Sequence, residues 1–309
     1  TAVGFSHWLM ILESVGLAII LVGSVILNSA TCVIISRDSA LRRKPTNLLV
    51  ANLCVANMVL TVGVIPFSLI SLISDRHGTF LGPACTTNGL FSVASCGAIV
   101  LTLCCISIDR YIAVCKPVRY RTIVTPRRAL LMILITWIQA FLYGSLPVLG
   151  WSRYEYHPGT LHCSPAWTDG CSLYIFLSTT GFAIPLTVMA VTYTRIFLEI
   201  RKHSRKINIL QMRAKFPAQE GGATTVRTER RAQSQLPREY KVARTGLILL
   251  LLFLFHWLPY LVVHSCSTRV DASEGVFHAV MWMVYLNGVV NPVTYALSNS
   301  SVKAKLKLL

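Results

Sequence analysis

Charged residues are scarce in this chain of 309 residues, and acidic ones are the scarcest. Only 13% of the residues are Asp, Glu, Lys or Arg, about half the fraction usual for a soluble domain. The charge is missing from whole segments, since residues 129–152 and 245–268 contain none. Each of these segments is long enough to cross a hydrocarbon core of roughly 30 Å, which takes about 20 apolar residues.

Seven predominantly apolar segments long enough to cross a membrane lie along the chain, at about 8–36, 45–73, 82–114, 128–150, 171–200, 240–266 and 275–297. Because lipid offers the backbone no hydrogen-bond partner, each must be a helix. The predicted fold class is therefore an all-α membrane protein, a bundle of seven transmembrane helices. We expect one membrane domain over residues 1–297 with a flexible linker at about 203–237. A short amphipathic helix on the membrane is expected at 298–309.

Basic residues are concentrated on one side of the predicted bundle. Of the 29 Lys and Arg residues, 26 lie near the loops after the odd-numbered helices, whereas the opposite loops hold only Arg76, Arg153 and Arg269. The positive-inside rule then places the N-terminus outside and the C-terminus in the cytoplasm. We interpret the net charge of +17 as topology and attraction to anionic inner-leaflet lipids, not as nucleic-acid binding.

The ten cysteines do not indicate a disulfide framework. Six lie inside hydrophobic segments and are most simply packing residues, namely Cys32, Cys54, Cys96, Cys104, Cys105 and Cys115. The other four fall at or near the outer face, where oxidation is chemically allowed. We predict a disulfide between Cys85 and Cys163, and a second pair of Cys171 with Cys266 stays open.

Catalytic constellations are absent from the sequence. Ser and His residues are scattered, and neither metal-ligand spacing nor a phosphate-binding glycine loop occurs. The chain is therefore not expected to be an enzyme or to hold a cofactor or metal. A transporter or channel would more often show repeated halves and a charge at mid-membrane. The one charge near a helix interior, Glu13, lies close to the outer end of the first helix.

An ionisable triplet marks the cytoplasmic end of the third predicted helix. Asp109, Arg110 and Tyr111 lie where that helix leaves the membrane, although a triplet of this kind is also typical of an ordinary helix end. Glu239 begins the sixth helix at the same end, and its carboxylate could hold Arg110 across the bundle. Release of that contact would free the helix end, which is the two-state behaviour that a switch requires.

Prolines and buried amides form a second group of signals. Pro185, Pro259 and Pro292 each remove a backbone hydrogen bond and kink a predicted helix, and any one of them alone is usually structural. Two of them lie in polar or aromatic surroundings. Buried amides in a bilayer must hydrogen-bond to one another or to water, and four asparagines could form such a network: Asn28, Asn57, Asn287 and Asn291.

In this order and spacing, the motifs resemble those of rhodopsin-like (class A) G-protein-coupled receptors. A single motif would carry little weight, whereas the ordered set covers nearly the whole chain. The matching residues are Asn28, Asn52-Leu53-Cys54-Val55-Ala56-Asn57, Cys85, Asp109-Arg110-Tyr111, Trp137, Pro185 with Tyr193, His256-Trp257-Leu258-Pro259 and Asn291-Pro292-Val293-Thr294-Tyr295.

The resemblance implies a plasma-membrane receptor that activates a heterotrimeric G protein when its cytoplasmic end opens, with arrestin as a further expected partner. Arg110 would leave Glu239 and face the G-protein α-subunit, and Tyr193 and Tyr295 would swing inward to support it. A packing switch is expected where the helices kink, at Val100, Pro185, Phe253 and Trp257. The expected contacts to the G protein are Arg110, Pro117, Val118, Arg201 and Lys202.

Ligand chemistry is indicated mainly by what is missing. Ser92 stands where amine receptors of the family carry an aspartate, and Tyr285 stands where opsins carry a lysine, so a monoamine and a covalently bound retinal are both disfavoured. The expected pocket is aromatic and nearly uncharged, which suits an uncharged or lipid-like ligand, although such sets are often simply packing. It comprises Ser92, Cys96, Phe182, Trp257, Tyr260, His264, Met281 and Tyr285.

The second outer loop offers an alternative to a diffusible ligand. Residues 151–170 are rich in aromatics, including Tyr154, Tyr156 and Trp167, and the loop could fold into the pocket itself. Some orphan receptors of this family are thought to activate themselves in this way. Similarity to such basally active orphans weakly favours the stimulatory G protein, Gs.

The family's sodium site is degraded in this chain, which leads to the first prediction. Asn57 replaces the usual aspartate, and Ile99 replaces the expected serine. An amide and an alkyl group bind a cation poorly, so we expect weak sodium dependence and high basal signalling.

Asn57→Asp should lower basal signalling in a cell-based second-messenger assay at matched surface level. Background activity in the native chain that does not fall further in the variant would contradict this expectation.

Overall fold

The computed structural model describes residues 2–74, 82–167, 171–214, 223–265 and 274–306 of the chain. Side chains are described for 8–73, 82–167, 171–203, 205, 240, 243–265, 275–299 and 302–305. Glu239 therefore lies outside the described side chains, as does Cys266.

Seven helices in these regions are long and apolar enough to cross a membrane, which confirms the predicted bundle. We call them the first to seventh spans, and they are Trp8–Arg37, Pro45–Ile73, Pro83–Cys115, Pro126–Trp151, Cys171–His203, Ala243–Val263 and Gly275–Ser298. The complete helices are Ala2–Arg37, Pro45–Ser74, Pro83–Cys115, Pro126–Ser145, Ile184–Ala214, Ala223–Val263 and Glu274–Ser298. Helices Ile184–Ala214 and Ala223–Val263 therefore extend into the stretch 203–237 that is predicted as a linker, and the flexibility of this stretch stays a prediction.

Shorter elements connect the spans. Helices Ser39–Arg42 and Pro117–Ile123 lie at the end of the bundle that carries the basic loops, which we call the basic end. The fifth span begins with helix Cys171–Leu177 and the wide turn Ser178–Ala183, and a similar turn, Pro147–Trp151, ends the fourth. Proline starts the third and fourth spans, where its missing N–H costs nothing because the first helical N–H groups have no partner within the helix.

The third span is the centre of the bundle. It packs against the second, fourth, fifth and sixth spans. Small residues let its neighbours approach closely: a methyl group at Gly97 would touch Tyr143 and Ala140, and one at Gly144 would meet the backbone oxygen of Leu90. Gly97 and Gly144 thus let the third and fourth spans pack closely together.

A two-stranded hairpin covers the opposite end, which we call the hairpin end, and the all-α prediction missed it. Strands β1 (Tyr154–His157) and β2 (His162–Pro165) pair antiparallel, and all of β2 is buried. The predicted disulfide Cys85–Cys163 ties β2 to the start of the third span, with the two Cα atoms 5.4 Å apart. Cys171 is also disulfide-bonded.

Asn88 strengthens the attachment of the hairpin. Its side-chain oxygen accepts a hydrogen bond from the backbone N–H of Cys163 at 2.9 Å, and its Nδ2 donates to the Gly63 carbonyl at 2.9 Å. One buried amide thus joins the second span, the third span and β2. Sequence reasoning had not singled out Asn88, because an isolated Asn shows no partner until the chain is folded.

Buried polar side chains join the spans inside the bundle. Asn28 Nδ2 donates to the Gly288 carbonyl at 2.8 Å, linking the first and seventh spans. Asn52 donates to Thr102 at 2.7 Å and accepts from Trp137 Nε1 at 2.8 Å, linking the second, third and fourth spans. The expected amide network is thus only partly formed by protein groups. The side-chain amides of Asn57, Asn287 and Asn291 are buried without a protein hydrogen-bond partner.

A short helix follows the seventh span, in agreement with the predicted tail helix. Ser300–Leu306 is helical, with Val302 fully buried and Lys303 and Lys305 at the surface. The Lys305 ammonium contacts the carboxylate of Asp38, which precedes the helix Ser39–Arg42 at the basic end. Pro66 is a further proline inside a spanning helix that sequence reasoning had not singled out.

Two glycines provide a matched test of how the hairpin packs. A methyl group at Gly89 would overlap the Tyr154 ring, whereas one at Gly23 would meet nothing within 4 Å. Gly89→Ala should lower the thermal midpoint of the purified protein by several degrees, because overpacking costs about 1–3 kcal/mol. Gly23→Ala should leave it unchanged or raise it slightly, since Ala stabilises a helix by roughly 0.5–1 kcal/mol over Gly. Equal effects of the two changes would contradict this packing.

Candidate functional site: an aromatic cavity and a buried ion pair

A cavity of about 90 Å³ lies beneath the hairpin, among the third, fifth, sixth and seventh spans. Seven of the eight predicted pocket residues line it: Ser92, Cys96, Phe182, Trp257, Tyr260, His264 and Met281. Tyr285 does not, and its hydroxyl instead hydrogen-bonds with that of Ser68 at 2.7 Å. The helices thus bring together most of the residues that the sequence selected.

The hairpin and the residues that follow it supply part of the wall. His162, Ser164 and Trp167 line the cavity, and Trp167 Nε1 donates to Ser164 Oγ at 3.1 Å. Tyr154 and Tyr156, the other expected aromatics, point elsewhere. The Tyr154 hydroxyl donates to the Gly144 carbonyl at 2.7 Å, and that of Tyr156 contacts Ser71. His162 and Ser164 had been missed, because a buried four-residue strand shows too little alternation to reveal which side chains face inward.

Aromatic rings form a continuous stack from the fifth span to the hairpin. Phe182 lies 5.5 Å from Phe253, measured between ring centroids, and Phe253 lies 5.8 Å from Trp257. Trp257 meets Tyr260 at 6.0 Å, and Tyr260 stacks on His264 at 4.0 Å. Val100, Phe253 and Trp257 belong to the main core, and Pro185 is buried nearby in the fifth span. His264, Tyr260, Trp257 and Phe253 thus form one connected set of rings along the sixth span and the residue that follows it.

Three histidines meet where the hairpin touches the sixth span. His157 and His162 are directly opposed across β1 and β2, and the His157 ring lies edge-on to His264 at 6.3 Å. Burial lowers the pKa of His162 to about 3 and that of His264 to about 4. Burial also lowers the pKa of His157, against the attraction of Glu155. All three are therefore neutral at physiological pH in this packing.

Asp109 and Arg110 form a buried ion pair at the basic end. Their side chains are 1% and 5% exposed, with Arg110 Nη2 2.5 Å from Asp109 Oδ2. Thr46 and Tyr120 donate hydroxyl hydrogen bonds to the two carboxylate oxygens of Asp109 at 2.6 and 2.8 Å. The expected contact of Arg110 with Glu239 lies outside the described residues. The sequence did not indicate Thr46 and Tyr120, because they lie on the second span and on the helix Pro117–Ile123.

The two tyrosines expected to support Arg110 lie on the fifth and seventh spans, and each contacts another group. The Tyr193 hydroxyl faces Gly246 in the sixth span, where any larger residue would collide with it. The Tyr295 hydroxyl donates to Asn47 Oδ1 at 2.9 Å and accepts from Asn299 Nδ2 at 3.0 Å. Asn291 and Pro292 are buried one turn before Tyr295.

Apart from the buried Arg110, the expected G-protein contacts are exposed at the same end. Val118 is 93% exposed in the helix that Pro117 begins, and Arg201 and Lys202 are exposed at the end of the fifth span.

A seven-helix membrane bundle with an outer cavity and a buried Asp–Arg pair at its basic end has the architecture of a seven-transmembrane receptor. The chain belongs to the rhodopsin family of 7 transmembrane receptors, whose profile matches residues 27–295. Members of this family are receptors and not enzymes.

Individual relatives agree with the family. The chain is 31% identical to the alpha-1A adrenergic receptor of Rattus norvegicus over 84% of its own length and 59% of that receptor. It is 32% identical to the D(1)-like dopamine receptor of Oreochromis mossambicus, covering 93% and 76% of the two chains. The crystal structure of squid rhodopsin superposes with a TM-score of 0.82 at 19% identity, covering 94% and 82%. The chain thus spans about three-fifths of the adrenergic receptor's length.

The histidine cluster predicts acid-sensitive packing of the hairpin. The pKa values of these histidines are lowered while the hairpin is packed against the sixth span. The packed state therefore binds protons more weakly than a state in which the hairpin has separated from that span. Stability should therefore be flat above about pH 7, and fall as the pH drops below the ordinary histidine pKa of about 6.5. Thermal midpoints at pH 7.5, 6.5 and 5.5 should show this decline, and His162→Gln with His264→Gln should flatten it.

His203→Gln, which changes a histidine at the basic end, serves as the control and should retain the full acid decline. A double variant as acid-sensitive as the native chain would contradict the assignment to this cluster.

Proposed function

We propose that this chain is a plasma-membrane receptor that activates a heterotrimeric G protein, with Gs weakly favoured, and that it signals without an added ligand. The proposal rests chiefly on the position of strand β2 and Trp167 in the cavity, where a diffusible agonist would otherwise bind. The hairpin then acts as a tethered agonist, and its contact with the sixth span holds part of the population in the active state.

The size of the cavity supports this proposal. Ligand pockets usually enclose roughly 300–1,000 Å³, whereas about 90 Å³ remains here. His162, Ser164 and Trp167 take up space among the helices, and the disulfide and Asn88 fix them there. A tethered group of this kind loses little translational freedom on binding, which is a large part of the cost for a free ligand.

Amine binding is the activity that the relatives' names would suggest, and the cavity does not favour it. A cationic amine buried in a dry pocket needs a carboxylate partner, because an unpaired buried charge is costly. Ser92 faces the cavity instead, and none of the described lining residues is Asp or Glu. We therefore propose that a monoamine is not the ligand of this receptor.

An uncharged or lipid-like agonist is the second candidate. The cavity wall is almost entirely aromatic and aliphatic, with Phe182, Trp257 and Met281 among its residues. Such a ligand would have to displace Trp167 or β2, and the receptor could then couple to another G protein. Basal signalling is the observation that separates this candidate from the tethered-agonist proposal.

The degraded sodium site favours a high basal level under the same proposal. Ile99 is fully buried beside the core, and the Asn57 amide is buried without a protein hydrogen-bond partner. A neutral amide cannot replace the carboxylate that would hold the cation. The inactive state thus lacks one stabilising ligand. Activation would move Arg110 toward the G protein, with Tyr193 and Tyr295 closing behind it.

Cyclic AMP in cells that express the chain without ligand tests this proposal, with Arg110→Ala compared at matched surface level. We expect a raised signal that the variant loses, because Arg110 faces the G protein in the active state. Trp167→Ala should also lower the basal signal several-fold, because it empties part of the cavity.

Trp151→Ala is the matched control for Trp167→Ala. Each tryptophan lies in the second outer loop and donates from Nε1 to one serine hydroxyl, but only Trp167 lines the cavity. A signal at background in the native chain and in Arg110→Ala would contradict basal Gs signalling and favour the second candidate. Equal loss in the two tryptophan variants would contradict the role of the cavity.

A further inference from the structure

A groove of about 490 Å³ at the basic end, distinct from the aromatic cavity, lies between the third and fifth spans. Tyr111 and Cys115 of the third span form one wall. The other carries four basic residues of the fifth helix: Arg195, Arg201, Lys202 and Arg205. We propose that this groove binds the polyphosphorylated headgroup of an anionic membrane lipid.

The charge of the groove is strongly unbalanced. Among the described residues that line it, Glu199 is the only acid. Its carboxylate lies 3.6 Å from Lys202 Nζ and 3.4 Å from His203 Nε2. In the part of the chain that the structure describes, Arg195, Arg201 and Arg205 form no ion pair. Guanidinium groups placed together repel one another unless a polyanion lies between them, and their planar donors match phosphate oxygens.

Aromatic rings contact two cations at the groove, Arg201 of its wall and the neighbouring Lys116. The Arg201 guanidinium lies over the Phe197 ring at 4.3 Å, and Lys116 Nζ lies 5.9 Å from the centre of the Tyr111 ring. Stacking of this kind reduces the number of side-chain orientations and keeps the charge near the ring. The basic groups are therefore partly ordered before any ligand arrives, which lowers the cost of binding.

The groove faces the lipid and not the interior of the bundle. Ile196 is buried against Val114 and Ala243, so it points inward. Arg195 precedes Ile196 by one residue, a turn of about 100° around the helix, and is exposed. Phe197 and Leu198 are also exposed, at 51% and 48%. These apolar side chains suit acyl chains just below the charged groups.

The level of the groove matches that of lipid phosphates. The third span ends at Cys115, which lines the groove together with Arg195, Arg201 and Arg205. These arginines therefore lie level with the end of that span. Headgroups of the inner leaflet occupy this layer if the basic end faces the cytoplasm. Clusters of four to eight basic residues at this position are typical of phosphoinositide binding.

Native mass spectrometry of the purified full chain in detergent, without G protein, tests this site. The probes are phosphatidylinositol 4,5-bisphosphate, phosphatidylserine and soluble inositol trisphosphate. We expect the bisphosphate lipid to bind at least tenfold more tightly than phosphatidylserine. Arg195→Gln with Arg205→Gln should weaken its binding by about thirtyfold, since each basic residue near an anionic surface contributes roughly a fivefold factor.

Arg37→Gln with Arg43→Gln removes the same charge from exposed residues beside the first span and should change the affinity less than twofold. Arg195→Lys with Arg205→Lys should retain most of the binding. If the double Gln variant does not fold, Arg195→Gln alone replaces it, and its affinity for the lipid should be about fivefold weaker. Equal losses in the groove and control variants would overturn the proposal, because net charge alone would then explain binding. Inositol trisphosphate binding as tightly as the lipid would overturn the assignment to a membrane lipid.

Discussion

The absence of water in the lipid interior is the constraint from which the rest of this structure follows. Every backbone N–H and C=O in the membrane needs a partner from the protein, which makes each span a helix. The same rule applies to side chains, so Asn52 is bonded to both Thr102 and Trp137. The side-chain amides of Asn57, Asn287 and Asn291, on the second and seventh spans, are buried without a protein hydrogen-bond partner.

Asp109 and Arg110 show how an ion pair is retained in such a place. A buried pair is worth little for stability by itself, since desolvation offsets the Coulomb attraction, but breaking it leaves a costly charge. Thr46 and Tyr120 satisfy the carboxylate of Asp109 from two separate elements. The pair therefore depends on the relative positions of the second span, the third span and the helix Pro117–Ile123, and can respond when these positions change.

At the opposite end of the bundle, the hairpin is also held in place by a small number of contacts. One disulfide and one amide, that of Asn88, hold β2 against the third span. From there, ring contacts run through Tyr260 and Trp257 to Phe253. Tyr154 fits against Gly89, where no side chain larger than hydrogen has room. Strand β2 is thus packed into the buried interior of the protein. Its position beneath the surface links the outer end to the packing of the sixth span.

Hydrophobic length predicted the seven spans, because it is a local property of the chain, and seven of the eight residues that the sequence selected for the pocket line the cavity. The exceptions depend on contacts between distant segments. Tyr285 lies outside the cavity because Ser68 of another span binds its hydroxyl. His162 and Ser164 enter it because the disulfide and Asn88 place β2 there, and no periodicity in a four-residue strand reveals that. The groove of Arg195 and Arg205 likewise forms only because the third span packs beside the fifth. The sequence shows the basic residues, but only the packing shows that they share one surface with Tyr111 and Cys115.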